Sequence, residues 1–71
     1  MCPHNEEKAI KWLRKGALSE SAQAQYNLGI MYSNGRGVDR DEQEAIIWIR
    51  KAAEQGLTKA QQILEEKNLD W

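Results

Sequence analysis

Residues 24–53, AQYNLGIMYSNGRGVDRDEQEAIIWIRKAA, decide the fold. Two segments of helical apolar periodicity flank Asn34-Gly35, a helix-stop dipeptide, and Gly37 closes the loop that follows. Displaced by 36 residues, the chain falls on itself. Glu6, Ala9, Ile10, Trp12, Arg14, Lys15 and Ala17 coincide with Glu42, Ala45, Ile46, Trp48, Arg50, Lys51 and Ala53, and Ala24, Gln25 and Leu28 with Ala60, Gln61 and Leu64. These ten identities in 31 aligned pairs sit mostly at apolar or small positions. A fixed period between about 20 and 50 residues is the mark of a stacked helical array. The expected fold is therefore all-α, a short α-solenoid of four antiparallel helices. They are expected at about residues 5–18, 20–33, 41–55 and 58–67 of a single domain, 1–71.

Local chemistry sets the expected boundaries. Asn5 is the expected N-cap of the first helix, with Glu6 and Glu7 in the first turn, where the dipole favours acids. Ala9, Ile10, Leu13 and Ala17 form its inward stripe, while Gly16 costs roughly 1 kcal/mol of helix propensity. Ser19 or Ser21 caps the second helix, whose stripe is Ala24, Leu28, Met31 and Tyr32. Gly29 in its middle implies that another helix backbone passes close by. Val38 is expected to plug the core beneath the loop. Asp39 or Asp41 caps the third helix, Gly56 ends it, and Leu57 or Thr58 opens the fourth. Asn68 to Trp71 reads as a tail.

Composition narrows the functional classes. Net charge is −1 with both signs interspersed, so there is no concentrated basic face of the kind a nucleic-acid binder needs, and no nucleic-acid partner is expected. Arg14/Lys15 and Arg50/Lys51 fall near helix C-termini, where cations offset the dipole. No apolar run is long enough for a signal peptide or a membrane span, and the single Cys2 excludes an intrachain disulfide. A reducing, cytoplasmic setting without membrane contact is the expectation.

Gly35-Arg36-Gly37 lacks the preceding strand and the Lys-Ser/Thr of a phosphate loop and reads as a helix stop. Cys2 and His4 have no second cluster to complete a metal site and no scaffold to make a nucleophile and base. The pairs Glu6/Glu7 and Glu65/Glu66 lie at solvated helix ends. No catalytic, cofactor-binding or metal-binding residue is expected, and the chain is not expected to be an enzyme.

Together Ala24, Tyr26-Asn27-Leu28-Gly29, Met31-Tyr32, Gly35-x-Gly37-Val38, Asp41, Ala45, Trp48 and Lys51-Ala52-Ala53-Glu54-Gln55-Gly56 resemble the Sel1-like repeats, relatives of tetratricopeptide repeats. The resemblance covers one full repeat flanked by two half-repeats. It implies a right-handed stack of antiparallel helix pairs that docks protein segments, the first helix of each pair facing the concave side. Glu20 stands where the pattern ends a helix with glycine. Glu65 and Asn68 stand where the preceding copy has Gly29 and Tyr32, so the fourth helix reads as a polar closing cap. The disulfide of cysteine-rich members, and any β-lactam chemistry of that branch, does not carry over.

Comparing the two copies separates core from surface. Pairs apolar in both (10/46, 12/48, 13/49, 28/64) are expected to be structural; residues apolar in only one, such as Ile47, Ile30 and Tyr26, are expected outside. Gln23, Tyr26, Asn27 and Ile30, continued by Lys59 and Gln62, form the expected partner-docking face. Ile10, Leu13, Ile47 and Trp71 form the expected self-association surface of a homodimer, because the first helix lacks the other half of its pair. The leading functional expectation is a non-catalytic adaptor that binds a protein partner. Alternatives are a small inhibitor of one macromolecular target, acting through Asp39, Asp41, Glu42 and Glu44, and a piece of a longer array.

Overall fold

The computed structural model describes the backbone of residues 3–71 and the side chains of residues 8–71. It contains four helices, α1 (Pro3–Leu18), α2 (Ala22–Asn34), α3 (Glu42–Glu54) and α4 (Thr58–Glu66), and no strand among the described residues. Each packs on its neighbour in the chain, α2 against α3 most extensively, in a body of 34 × 23 × 17 Å. The first helix begins at Pro3 and already runs through Asn5, so Asn5 is not its cap. Proline suits a helix start because its missing N–H would have no partner there. The side chains of Cys2, His4, Glu6 and Glu7 lie outside the described residues.

The other starts follow from side-chain oxygens. Ser21 Oγ accepts the Ala24 N–H at 3.3 Å, and Asp41 Oδ1 accepts those of Gln43 and Glu44 at 3.1 Å each. Serine 21 and aspartate 41, rather than Ser19 and Asp39, are thus the caps. Leu57 precedes α4 without a side-chain bond.

Three helices end in one pattern, a six-to-one bond enclosing a five-to-two bond around a left-handed residue. Ser21 N–H reaches Gly16 O and Glu20 N–H reaches Ala17 O, at 3.0 and 3.1 Å. One repeat later Leu57 reaches Ala52 and Gly56 reaches Ala53, at 3.2 and 2.9 Å. After α4, Leu69 reaches Leu64 and Asn68 reaches Glu65, at 2.8 and 3.1 Å. The left-handed residues are Glu20 (φ 66°), Gly56 (φ 95°) and Asn68 (φ 59°). Helix α2 stops at left-handed Gly35, whose N–H bonds Met31 O.

Apolar side chains gather in two linked clusters. Ile10, Ala17 and Leu28 form one, with Leu13, Met31, Tyr32, Val38 and Trp48 packed against it, so Val38 does close the core beneath its loop. Ile49, Ala52, Ala53, Ala60 and Leu64 form the other, joined by Tyr26, Ile30, Ile46 and Leu69. Leu28 and Leu64, equivalent positions of the two copies, are both fully buried.

The helices meet at glycine. A Cβ on Gly29 would stand 2.6 Å from Ile49 Cγ1 and 2.9 Å from the Ala45 carbonyl oxygen, and one on Gly16 would stand 2.7 Å from Ala24 Cβ. A glutamine then fastens each pair. Gln25, only 4% exposed, donates from Nε2 to Ala17 O at 3.1 Å, and Gln61 donates to Ala53 O at 3.0 Å. The carbonyls so engaged sit in the last turns of α1 and α3, where intrahelical donors have run out. Gln55 Nε2 donates to Gln25 Oε1 at 2.9 Å and links the copies.

Two stability predictions follow from these contacts. Gly29→Ala should lose about 1–2 kcal/mol in urea unfolding, because overpacking against the Ala45 backbone outweighs the helix-propensity gain of about 1 kcal/mol. An unchanged or raised midpoint would show that α2 and α3 can part without cost. Glu20→Gly should instead gain about 1 kcal/mol by removing a side chain from a left-handed position. In a domain of this size that raises Tm by about 4–8 °C, measurable by circular dichroism.

Candidate protein-interaction site

The six residues of the expected docking face lie on α2 and α4. Gln23 is exposed and donates from Nε2 to Asn27 Oδ1 at 3.0 Å, one helical turn on. Tyr26 and Ile30 are half-buried, their inner sides packed on the cluster to which α4 contributes Ala60 and Leu64. The structure therefore brings Tyr26 and Ile30 to the seam between α2 and α4. Lys59 and Gln62 are exposed on α4, and Gln62 shares a shallow depression with Glu65 and Glu66. The arrangement is an apolar strip with an uncharged polar edge on one side and a mixed edge on the other.

The expected self-association surface is partly corrected. Ile10 is 7% exposed and Leu13 half-buried, both on the cluster centred on Leu28, so neither offers an open face. Ile47 and Trp71 are exposed, each at 47%. The tail that carries Trp71 is held by the Arg50 Nε–H, which donates to Asp70 O at 3.0 Å, and by Leu69 on the second cluster.

Trp12 was expected to be structural and is 72% exposed, and Leu18 beside it is 71% exposed. The reason is position in the stack. Trp48 packs against Ile10, Ala17 and Leu28, whereas α1 is the outermost helix and Trp12 lies on its outer side. The repeat comparison carried a signal for Leu18, whose counterpart is Glu54. It carried none for Trp12, because both copies have tryptophan there.

Two of the four residues of the acidic edge, Asp41 and Glu42, are engaged within the fold. Asp41 caps α3, and Glu42 Oε1 accepts Ser33 Oγ–H at 3.2 Å and pairs with Arg40 at 3.7 Å. Lys67 reaches the other Glu42 oxygen at 3.9 Å, tying α4 to the start of α3. Among the described residues no group of His, Cys, Asp or Glu is placed to hold a metal, and no helix is long and apolar enough to cross a membrane.

Helices stacked in chain order, with the same backbone closures and the same glutamine bond recurring one repeat apart, define a short α-solenoid. The Sel1 repeat profile matches residues 1–21 and 22–57, and the chain belongs to the Sel1 repeat family. Such repeats generally mediate protein–protein interaction. Chitin synthase regulatory factor 3 of Schizosaccharomyces pombe is 43% identical over 67 residues, 94% of this chain and 7% of that protein. DAP3-binding cell death enhancer 1 of Rattus norvegicus is 38% identical over 63 residues, 87% of this chain and 12% of that protein. A chitin synthase regulator of Saccharomyces cerevisiae is 37% identical over 49 residues, 69% of this chain and 7% of that protein. The chain thus spans a small part of the length of each of these relatives.

Proposed function

We propose that this chain is a non-catalytic binding unit that docks a segment of a protein partner on the α2/α4 face. The observation that carries the reading is the half-burial of Tyr26 and Ile30 along the seam, with Gln23, Asn27, Lys59 and Gln62 beside them. An apolar strip of this kind supplies burial, and polar groups at its edge set register, which is how a binding face divides affinity from orientation. Stacked repeats use their extended concave surfaces in this way. The relatives named as regulators and as a binding protein support a role exerted through contact with another protein rather than through chemistry.

The adaptor reading is favoured over the inhibitor reading by the acidic edge. Asp41 and Glu42 already serve as a cap and an ion-pair hub, and a carboxylate so occupied has less to offer a cationic target. Cytoplasmic residence fits a chain with a single cysteine.

Site-specific photocrosslinking in cells tests the face. A photoreactive residue at position 23 or 62 should capture one and the same protein, and at position 51, on α3, should capture none. Tyr26→Ala should weaken binding of that protein about tenfold or more, as buried aromatic anchors do. Gln23→Ala, at an exposed site, should leave the fold within about 0.5 kcal/mol and separate loss of docking from loss of structure. Crosslinks confined to position 51, or full affinity in folded Tyr26→Ala, would sink the assignment.

A further inference from the structure

We infer that the outer face of α1, built on Trp12 and Leu18, is a second docking site, and that it takes an acidic amphipathic helix of a partner protein. The repeat itself shows what such a face accepts. Lys15 stands 5.9 Å over the Trp12 ring, and Lys51 stands 5.9 Å over the ring of its counterpart Trp48. Around the second pair the fold has already supplied the cover. Ala17 and Leu18, at the end of α1, line one cleft with Trp48 and Lys51, and Glu20 lines the same cleft. Trp48 itself is covered by Ile10 and Ala17 of α1 and by Leu28, and the carboxylates of Glu20 and Glu54 line the same cleft as Lys51. At Trp12 the ring and ammonium are in place, and the ring is 72% exposed.

Charge says which helix fits. From Lys8 to Leu18 the sequence carries Lys8, Lys11, Arg14 and Lys15 and no acid. Lys11, Arg14 and Lys15 border a depression floored by Trp12 and Leu18. Two such stretches brought face to face would set like charges opposite one another, which disfavours pairing of copies through residues 8–18. The far end of a second copy does not fit either. In the stack, α2 accepts α3 because Gly29 has no Cβ, and its counterpart on α4 is Glu65. Leu64, the counterpart of Leu28, is fully buried, and the Leu69 N–H closes on its carbonyl. The occupant that these charges fit is a helix of a partner protein with leucine-like residues on one face and carboxylates along both edges, meeting the tryptophan in the way interface hot spots do.

The test uses the full chain, isotope-labelled, and reads its three tryptophan indole N–H resonances separately. The probe is a helix-forming peptide of about 18 residues with leucines at helical spacing flanked by glutamates, and the control carries lysines for those glutamates. The acidic peptide should shift the Trp12 resonance and leave those of Trp48 and Trp71 in place. Its affinity should exceed the control's about tenfold and weaken several-fold as salt is raised, since these charges are exposed. Lys15→Glu should abolish the shift at Trp12, and Trp12→Ala, which removes that resonance and is read by calorimetry instead, should abolish binding of the acidic peptide; both positions are exposed, so circular dichroism should show an intact fold. Equal binding of both peptides, or a response centred on Trp71, would overturn the proposal. So would self-association abolished by Trp12→Ala, or saturation of Trp12 by phosphatidylserine-containing vesicles with no response to the acidic peptide, which would make the face a membrane contact.

Discussion

Everything in this molecule depends on how closely two helix backbones approach. Helices that meet through large side chains hold their axes about 8–10 Å apart. At Gly29 the α2 backbone has nothing between it and the Ala45 carbonyl and the Ile49 side chain. At Gly16 the α1 backbone does the same with Ala24. The alanines serve the same end: Ala17, Ala45, Ala52, Ala53 and Ala60 are all interior. A core lined with residues this small offers little apolar volume to bury, so its stability rests on fit and on satisfied backbone groups. That is why the polar interior is built with such repetition. Gln25 and Gln61 each find a carbonyl in the last turn of the helix before them, and each pair is closed by a left-handed residue.

Repetition also exposes where the two copies differ, and those differences shape the surface. Gly56 sits at φ 95° with open space around it, while Glu20 occupies the same turn with a side chain attached. Glu20 lines the same cleft as Trp48 and Lys51. Arg14 donates to the Tyr32 hydroxyl, and its counterpart Arg50 donates to the Asp70 carbonyl. The same position of the repeat thus holds the last turn of α2 in one copy and the tail that leaves α4 in the other.

The parts of the structure that were legible in the sequence are those governed by neighbours in the chain. An aspartate cap at position 39 or 41, Gly35 as a stop, and the close approach at Gly29 all follow from residue type and local spacing, and the structure selects Asp41. Asn5 misled because the helix already runs from Pro3, two residues earlier, and proline suits a first helical position. Bonds that span the fold, such as Arg14 to Tyr32 or Gln55 to Gln25, left no trace in local pattern, although the coincidence of Gln25 with Gln61 marked a shared role. Burial was the hardest to read. Trp12 and Trp48 are identical in type and in repeat position, yet one helps build the core and the other meets solvent. A repeat's sequence encodes what its position can pack against; whether a neighbour is there is a property of the stack.

That distinction bears on how a short solenoid binds. Its lateral surface carries Tyr26 and Ile30, half-buried against a cluster drawn from α3 and α4 and so held in place by the fold itself. Its ends are different in kind. The α4 end is sealed by Leu69 on Leu64 and by the polar residues Glu65 and Asn68. The α1 end keeps a tryptophan, a leucine and a run of cations facing outward. Leaving about two large apolar side chains uncovered forgoes a few kcal/mol of burial in a domain with little stability to spare. The outer face of α1 therefore combines apolar area with positive charge, whereas that of α4 presents mainly polar groups.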